Sequence, residues 1–175
     1  MPDSNIVWQD FIRDVPDFPK PGIVFKDITP LLANGKAFSM AVDEMAALIG
    51  PDVDALVGIE SRGFIFGAAL AYKLGIGLVT VRKPGKLPAA VHSVEYELEY
   101  GMDCLEVHKG ALNCGHRVVI VDDLLATGGT ASATVKLVEQ LGATVDACLF
   151  AIELDFLKGR NALPDIAVKS LLHYS

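Results

Sequence analysis

The sequence predicts an α/β fold: a mostly parallel central sheet with helices on both faces. Three observations predict it. Short apolar runs rich in Val, Ile and Leu recur at residues 55–59, 78–81, 118–121 and 147–152, the pattern of strands buried on both faces. Between them, apolar residues recur three and four apart, the helical period. Strand, helix and strand in alternation make βαβ units, whose crossover helices cover a parallel sheet.

Taken in order, Ser4 is placed to cap a first helix ending near Asp14. The stretch DVPDFPKPGIVF follows, in which Pro16, Pro19 and Pro21 fix φ and remove donors, giving an irregular but stiff loop. It ends in a short extended run, Ile23, Val24 and Phe25. Phe38, Ala41, Val42, Met45 and Ile49 then mark one apolar face of a helix over residues 36–49. After the strand at 55–59 comes a turn, Glu60-Ser61-Arg62-Gly63, and Ile65, Ala68, Ala69 and Tyr72 repeat the helical spacing. The strand at 78–81 leads into a basic loop, RKPGKLP. Residues 94–100, VEYELEY, alternate in period two, as a half-exposed strand of a hairpin does. The last units are the central strand at 118–121, a helix marked by Thr134, Leu137, Val138 and Leu141, and the strand at 147–152.

Composition narrows the function. A chain of 175 residues suits one domain, and 51% hydrophobic residues suffice for a single core. A net charge of −7 argues against general binding to nucleic acid or a membrane surface. No stretch approaches the roughly 20 apolar residues that span a bilayer. The N-terminus carries acids where a signal peptide would carry Lys or Arg. Cys104, Cys114 and Cys148 show no C-x-x-C spacing, so reduced cysteines in a cytoplasmic protein are expected.

The strongest chemical signal is VVIVDDLLATGGTASA, residues 118–133. Asp122 and Asp123 land at the carboxyl end of a strand, where ligands of open α/β sheets bind. Ala126, Thr127, Gly128, Gly129 and Thr130 then open a helix. Unpaired N–H groups at a helix N-terminus and the helix dipole favour an anion, and glycines let a phosphate approach the backbone. A phosphate cradle alone suits any nucleotide. Two carboxylates beside it call for a polyhydroxylated group or a divalent cation, and ribose 5-phosphate supplies hydroxyls at one end and phosphate at the other. The Gly-Lys-Ser/Thr of a P-loop is missing.

This stretch closely resembles the phosphoribosyl-pyrophosphate motif of the type I phosphoribosyltransferases. FPKPGIVFKDITPLL, GIESRGFIFG, RKPGKLP, ELEYG and LKGR extend the likeness over nearly the whole chain and resemble the adenine-specific members. The resemblance implies a single domain over residues 1–175, with a base-binding N-terminal hood at 1–35 and a flexible catalytic loop at 82–100. It implies transfer of ribose 5-phosphate from 5-phosphoribosyl 1-pyrophosphate to adenine, giving AMP and pyrophosphate. Mg²⁺ would be bound through the substrate, not by direct protein ligation, and a homodimer is expected.

The same resemblance assigns roles. Asp122 and Asp123 would hold the ribose hydroxyls, and residues 126–130 the 5′-phosphate. Glu60, Ser61 and Arg62, with Arg82, Lys83 and Lys86, would bind pyrophosphate, and the Glu60–Ser61 peptide would be cis. The Val24 carbonyl and the Lys26 N–H would read the adenine edge, with Phe25 and Leu124 sandwiching the ring. Glu99 would exchange a proton with adenine; the competing reading makes Glu95, Glu97 and Glu99 the polar face of a strand. Two alternatives remain at this stage: a transferase for another base such as xanthine or orotate, and a ligand-sensing regulator on the same fold. The regulator would need a nucleic-acid surface for which this chain has little length or charge to spare.

Overall fold

A computed structural model of the chain describes residues 6–98 and 101–175. The chain divides into two compact units, within residues 1–44 and 45–175.

In the first unit, a 3₁₀ turn at Trp8–Phe11 is followed by strand β1, Arg13–Pro16. It pairs antiparallel with β2, Val24–Asp27, with Arg13 opposite Asp27 and Pro16 opposite Val24. Helix α1, Thr29–Ala33, follows, and α2, Gly35–Ala47, begins after it. The long first helix expected from Ser4 therefore does not form among the described residues. Trp8 is fully buried and donates from Nε1 to Glu44 Oε2 at 3.0 Å, and the backbone is already extended at Ile12 to enter the ladder with β2. Asp27 ties the ladder to α1: its carboxylate accepts from Thr29 N at 2.9 Å and from Arg13 Nη2 at 2.5 Å. The Thr29 N–H, aided by Arg13, holds the Asp27 carboxyl below its usual range against the effect of burial.

The second unit holds β3 (Ala55–Ile59), α3 (Arg62–Leu74), β4 (Gly77–Val81), β5 (Val91–Leu98), β6 (Gly101–His108), β7 (Arg117–Leu125), α4 (Gly129–Gln140), β8 (Thr144–Leu154) and β9 (Val168–Tyr174). The sheet runs β4-β3-β7-β8-β9, every pairing parallel. β5 and β6 form a separate antiparallel hairpin. Ala55, Val57 and Ile59 of β3 and Val118 and Ile120 of β7 pack with Ala131 and Val135 of α4 and with Val94, Tyr96, Leu105 and Val107 of the hairpin. Helix α3 covers the opposite face, so close that a Cβ on Gly63 would lie 2.6 Å from the Val121 carbonyl oxygen. The expected mostly parallel sheet with helices on both faces is thus present.

Two details differ from the sequence reading. β9 was not anticipated. The apolar set Ile65, Ala68, Ala69 and Tyr72 is not the buried face of α3; Gly63, Phe66, Gly67, Leu70 and Ala71 are. Because β3, β4 and β7 are parallel, their carboxyl ends share one edge of the sheet. Residues 60–62, 82–83 and 122–130 meet along it.

Candidate active site at the carboxyl edge of the sheet

β7 does not stop before the two acids. It pairs with β8 as far as Leu125 opposite Glu153, so Asp122 and Asp123 are strand residues, and their carboxyls lie close enough to interact. Asp122 and Leu124 line a cavity of about 90 Å³ together with Ala126, Thr127, Gly128, Gly129 and Thr130. That is room for several waters, hence for a phosphate-sized group. Asp123 is buried beside Asp122 and pairs with Arg62, whose Nε lies 3.0 Å from its Oδ2. Burial raises both carboxyls above the usual range. The charge of Asp123 pushes Asp122 further up, whereas Arg62 pulls Asp123 back down.

The turn after β7 is shaped for an anion. Gly128 is the N-cap of α4 with φ 85°, and no side chain caps the helix. The N–H groups of its first turn therefore face the cavity without a side-chain acceptor. Substituting Gly128 would be strained in φ, and a Cβ there would lie 2.3 Å from the Gly159 carbonyl oxygen.

The pyrophosphate candidates lie at the ends of β3 and β4. The Glu60–Ser61 peptide is cis. The Glu60 carboxylate accepts from Arg82 Nη2 at 3.1 Å and from Lys83 N at 2.9 Å, and Arg82 holds its pKa below the usual range. The Glu60 carboxylate is therefore committed to Arg82 and the Lys83 N–H. Arg82 Nη1 also donates to the Lys86 carbonyl at 3.2 Å, while the Lys86 side chain is exposed. Lys83 Nζ pairs with Asp103 and donates to Tyr96 Oη at 3.3 Å. Tyr96 and Asp103 are site neighbours that the sequence reading missed; their positions on the alternating hairpin carried no sign of it.

Val24, Phe25 and Lys26 lie on β2 of the first unit. Val24 is 46% exposed, and Phe25 is half-buried, its ring 5.2 Å edge-on from Phe18. Glu99 and Tyr100 lie outside the described residues. Among the described residues, the one acid and histidine group close enough to hold a metal is Glu153, Asp155 and His173, none of which lines the cavity.

Comparison with known proteins gives one answer. Residues 31–169 match the model of the phosphoribosyl transferase domain family. The chain is 58% identical over 168 residues to the adenine phosphoribosyltransferase of Acidobacterium capsulatum, covering 95% of this chain and 93% of that one. Its fold is similar to the crystal structure of adenine phosphoribosyltransferase from Thermoanaerobacter pseudethanolicus, with TM-score 0.92, 57% identity and coverage of 95% and 97%. The Saccharomyces cerevisiae enzyme, complexed with D-2,5-dideoxy-2,5-imino-altritol 1,6-bisphosphate and adenine, is similar with TM-score 0.85, 43% identity and coverage of 92% and 94%.

Proposed function

We propose that this chain, which belongs to the phosphoribosyl transferase domain family, binds its sugar phosphate in the cavity between Asp122 and the turn at 126–130. The reaction is adenine salvage. Ribose 5-phosphate passes from 5-phosphoribosyl 1-pyrophosphate to adenine, giving AMP and pyrophosphate, a pentosyl transfer. The observation that carries the site assignment is the shared cavity: a carboxylate for sugar hydroxyls at one end, uncapped helix N–H groups for a phosphate at the other.

Chemistry assigns the remaining roles. As pyrophosphate leaves, C1′ gains positive charge, and the carboxylates of Asp122 and Asp123 favour that transition state while holding the 2′- and 3′-hydroxyls. Arg62 offers a planar fork of donors to pyrophosphate, with Ser61, Arg82, Lys83 and Lys86 around it and Glu60 contributing backbone. Lys83 exchanges its Asp103 partner for pyrophosphate. Mg²⁺, bound through the substrate phosphates and not by direct protein ligation, would supply charge neutralisation on the diphosphate.

The base is read by β2. On β2, Val24 contributes its backbone carbonyl and Lys26 its backbone N–H. Lys26, two residues on, projects its backbone groups in the same direction as Val24. That carbonyl and N–H accept from the adenine amino group and donate to N1, an order that a 6-oxo purine cannot satisfy. Glu99 manages the proton that adenine loses on attack at C1′. Glu99→Leu, but not Glu97→Leu, is expected to lower turnover about 100-fold.

A homodimer and a cytoplasmic setting complete the proposal. The dimer is supported by the exposed apolar face of α3. The cytoplasmic setting is supported by three free cysteines. No helix among the described residues is long and apolar enough to cross a membrane. Turnover with 5-phosphoribosyl 1-pyrophosphate across adenine, hypoxanthine, xanthine and orotate tests the reading. Adenine is expected to lead by about 10⁴-fold; comparable rates with any other base would overturn the assignment of β2.

A further inference from the structure

We propose that Arg160 is a positioning residue for the phosphate turn, acting through Glu153 and Gly159. The inference rests on the reading of residues 126–130 as the phosphate site and goes beyond it.

The turn has no slack where the 3₁₀ segment Gly159–Ala162 packs against it. A Cβ on Gly159 would lie 2.3 Å from the Ala126 carbonyl oxygen and 2.9 Å from Leu125 Cγ. A Cβ on Gly128 would lie 2.3 Å from the Gly159 carbonyl oxygen and 2.8 Å from Ala162 Cβ. Two glycines thus meet backbone to backbone, and the path of residues 126–128 is moulded on Gly159. No side chain caps α4, so the direction of its first N–H groups depends on that path.

What fixes Gly159 is its neighbour. Arg160 grips Glu153 with a fork, Nε to Oε1 at 2.7 Å and Nη2 to Oε2 at 2.8 Å. Its Nη1 donates to the Val168 carbonyl at 3.0 Å, and Nη2 to Ser170 Oγ at 3.2 Å. Glu153 is 3% exposed and stands opposite Leu125 in the β7–β8 register, one residue before the turn begins. The pair therefore closes a short circuit: end of β7, Glu153, Arg160, Gly159, turn. A planar bidentate pair fixes orientation as well as distance, which a lysine cannot do. Asp155 and His173 stand beside this carboxylate, with His173 Nδ1 3.8 Å from Glu153. With Arg160 on both oxygens, Glu153 serves as counter-ion to the arginine and not as a metal ligand.

The test compares Arg160→Ala, Arg160→Lys and a Thr127→Ala/Thr130→Ala double variant with the wild-type enzyme. The readouts are AMP affinity by titration, KM for 5-phosphoribosyl 1-pyrophosphate, KM for adenine, and melting temperature. Misplacing a binding group by about 1 Å costs up to 10²-fold, so Arg160→Ala is expected to weaken AMP and raise the phosphoribosyl KM at least about tenfold. KM for adenine should stay within about twofold, and Arg160→Lys should restore only part of the loss. Should Arg160→Ala fail to fold, Arg160→Lys carries the test through the same split between the two KM values. A folded Arg160 variant with wild-type AMP affinity, or with both KM values raised alike, overturns the positioning role. If the double variant loses AMP affinity while Arg160→Ala does not, the positioning role fails alone. If the double variant itself binds AMP normally, the phosphate-site reading fails and takes the inference with it.

Discussion

Thr130 Oγ1 donates to Tyr96 Oη across 3.3 Å, joining the first turn of α4 to the hairpin. The same phenol donates to Asp103 Oδ2 at 3.0 Å and accepts from Lys83 Nζ at 3.3 Å. One buried hydroxyl thus links a phosphate-turn threonine to the lysine assigned to pyrophosphate. A phosphate that engages Thr130 competes for this link. Tyr96→Phe is expected to cost about 1 kcal/mol of stability, the usual net worth of a hydrogen bond, and to raise KM for 5-phosphoribosyl 1-pyrophosphate more than it lowers kcat. Urea unfolding and steady-state kinetics check both; unchanged values would show that the hydroxyl couples nothing.

Asp122 should trade stability for activity. Its carboxyl is raised above the usual range by burial and by Asp123. The folded state therefore holds this proton more tightly than the unfolded chain. The stability so gained is full below the unfolded pKa near 3.9 and is lost as pH rises through the folded value. At pH 7 the unfolded chain has released this proton while the folded state resists releasing it, so Asp122→Asn should melt at a higher temperature than wild type, with the gap closing towards about pH 4. Turnover should fall by about 10²–10³ if the carboxylate supplies one positioned electrostatic interaction. A variant that melts lower at pH 7 and turns over normally would contradict both statements.

The sequence made the parallel sheet and the glycine turn at 126–130 legible for a simple reason. β3 is buried along its whole length, so its apolar run reflects burial directly. Likewise, the Thr-Gly-Gly-Thr turn places a glycine where φ is positive and a Cβ has no room. The pattern misled where burial and helical period part company. Ile65, Ala68, Ala69 and Tyr72 have helical spacing, yet the face of α3 that meets the sheet uses Gly63 and Gly67, because close approach to β7 and Leu78 leaves no room for larger residues. Hydrophobic spacing cannot reveal a face buried through glycine. β9 stayed hidden because its residues are only half-buried. The LKGR segment was conspicuous as a motif, but its packing under the turn depends on contacts far apart in sequence.

Asp27 should respond to acid in the opposite sense. Its folded pKa lies below the usual value, through the Thr29 N–H first and then Arg13. The stability it contributes is present above the unfolded pKa near 3.9 and is lost as pH falls through the lower folded value. Asp27→Asn keeps an acceptor for Thr29 but surrenders the charge facing Arg13, and is expected to cost about 1.5–3 kcal/mol at pH 7. The difference from wild type should shrink in acid below about pH 4. Thermal melts at the two pH values decide it; a gap that stays constant would remove Asp27 as the source.

The outer face of α3 makes the last prediction. Tyr72 is 92% exposed and Ile65, two turns earlier on the same side, is 39% exposed. Ala68 and Ala69 complete the stripe between them. Isolated surface hydrophobes need no explanation, but a small-residue stripe ending in an uncovered tyrosine has the make-up of an interface anchor. A second copy of the chain is the occupant that the proposed homodimer supplies. An anchor of this kind is worth about 2 kcal/mol or more, so Tyr72→Asp should raise the dimer dissociation constant at least about 30-fold. Ala68→Asp, which places a charge in the middle of the stripe, should do the same without removing any apolar contact area. Sedimentation velocity over a range of concentrations reads the result directly. Because Tyr72 is 92% exposed in the single chain, the separated chain should keep its melting temperature once ligand and concentration are matched. A wild-type chain that sediments as a monomer at assay concentration, or a dimer indifferent to both substitutions, would move the interface off this helix.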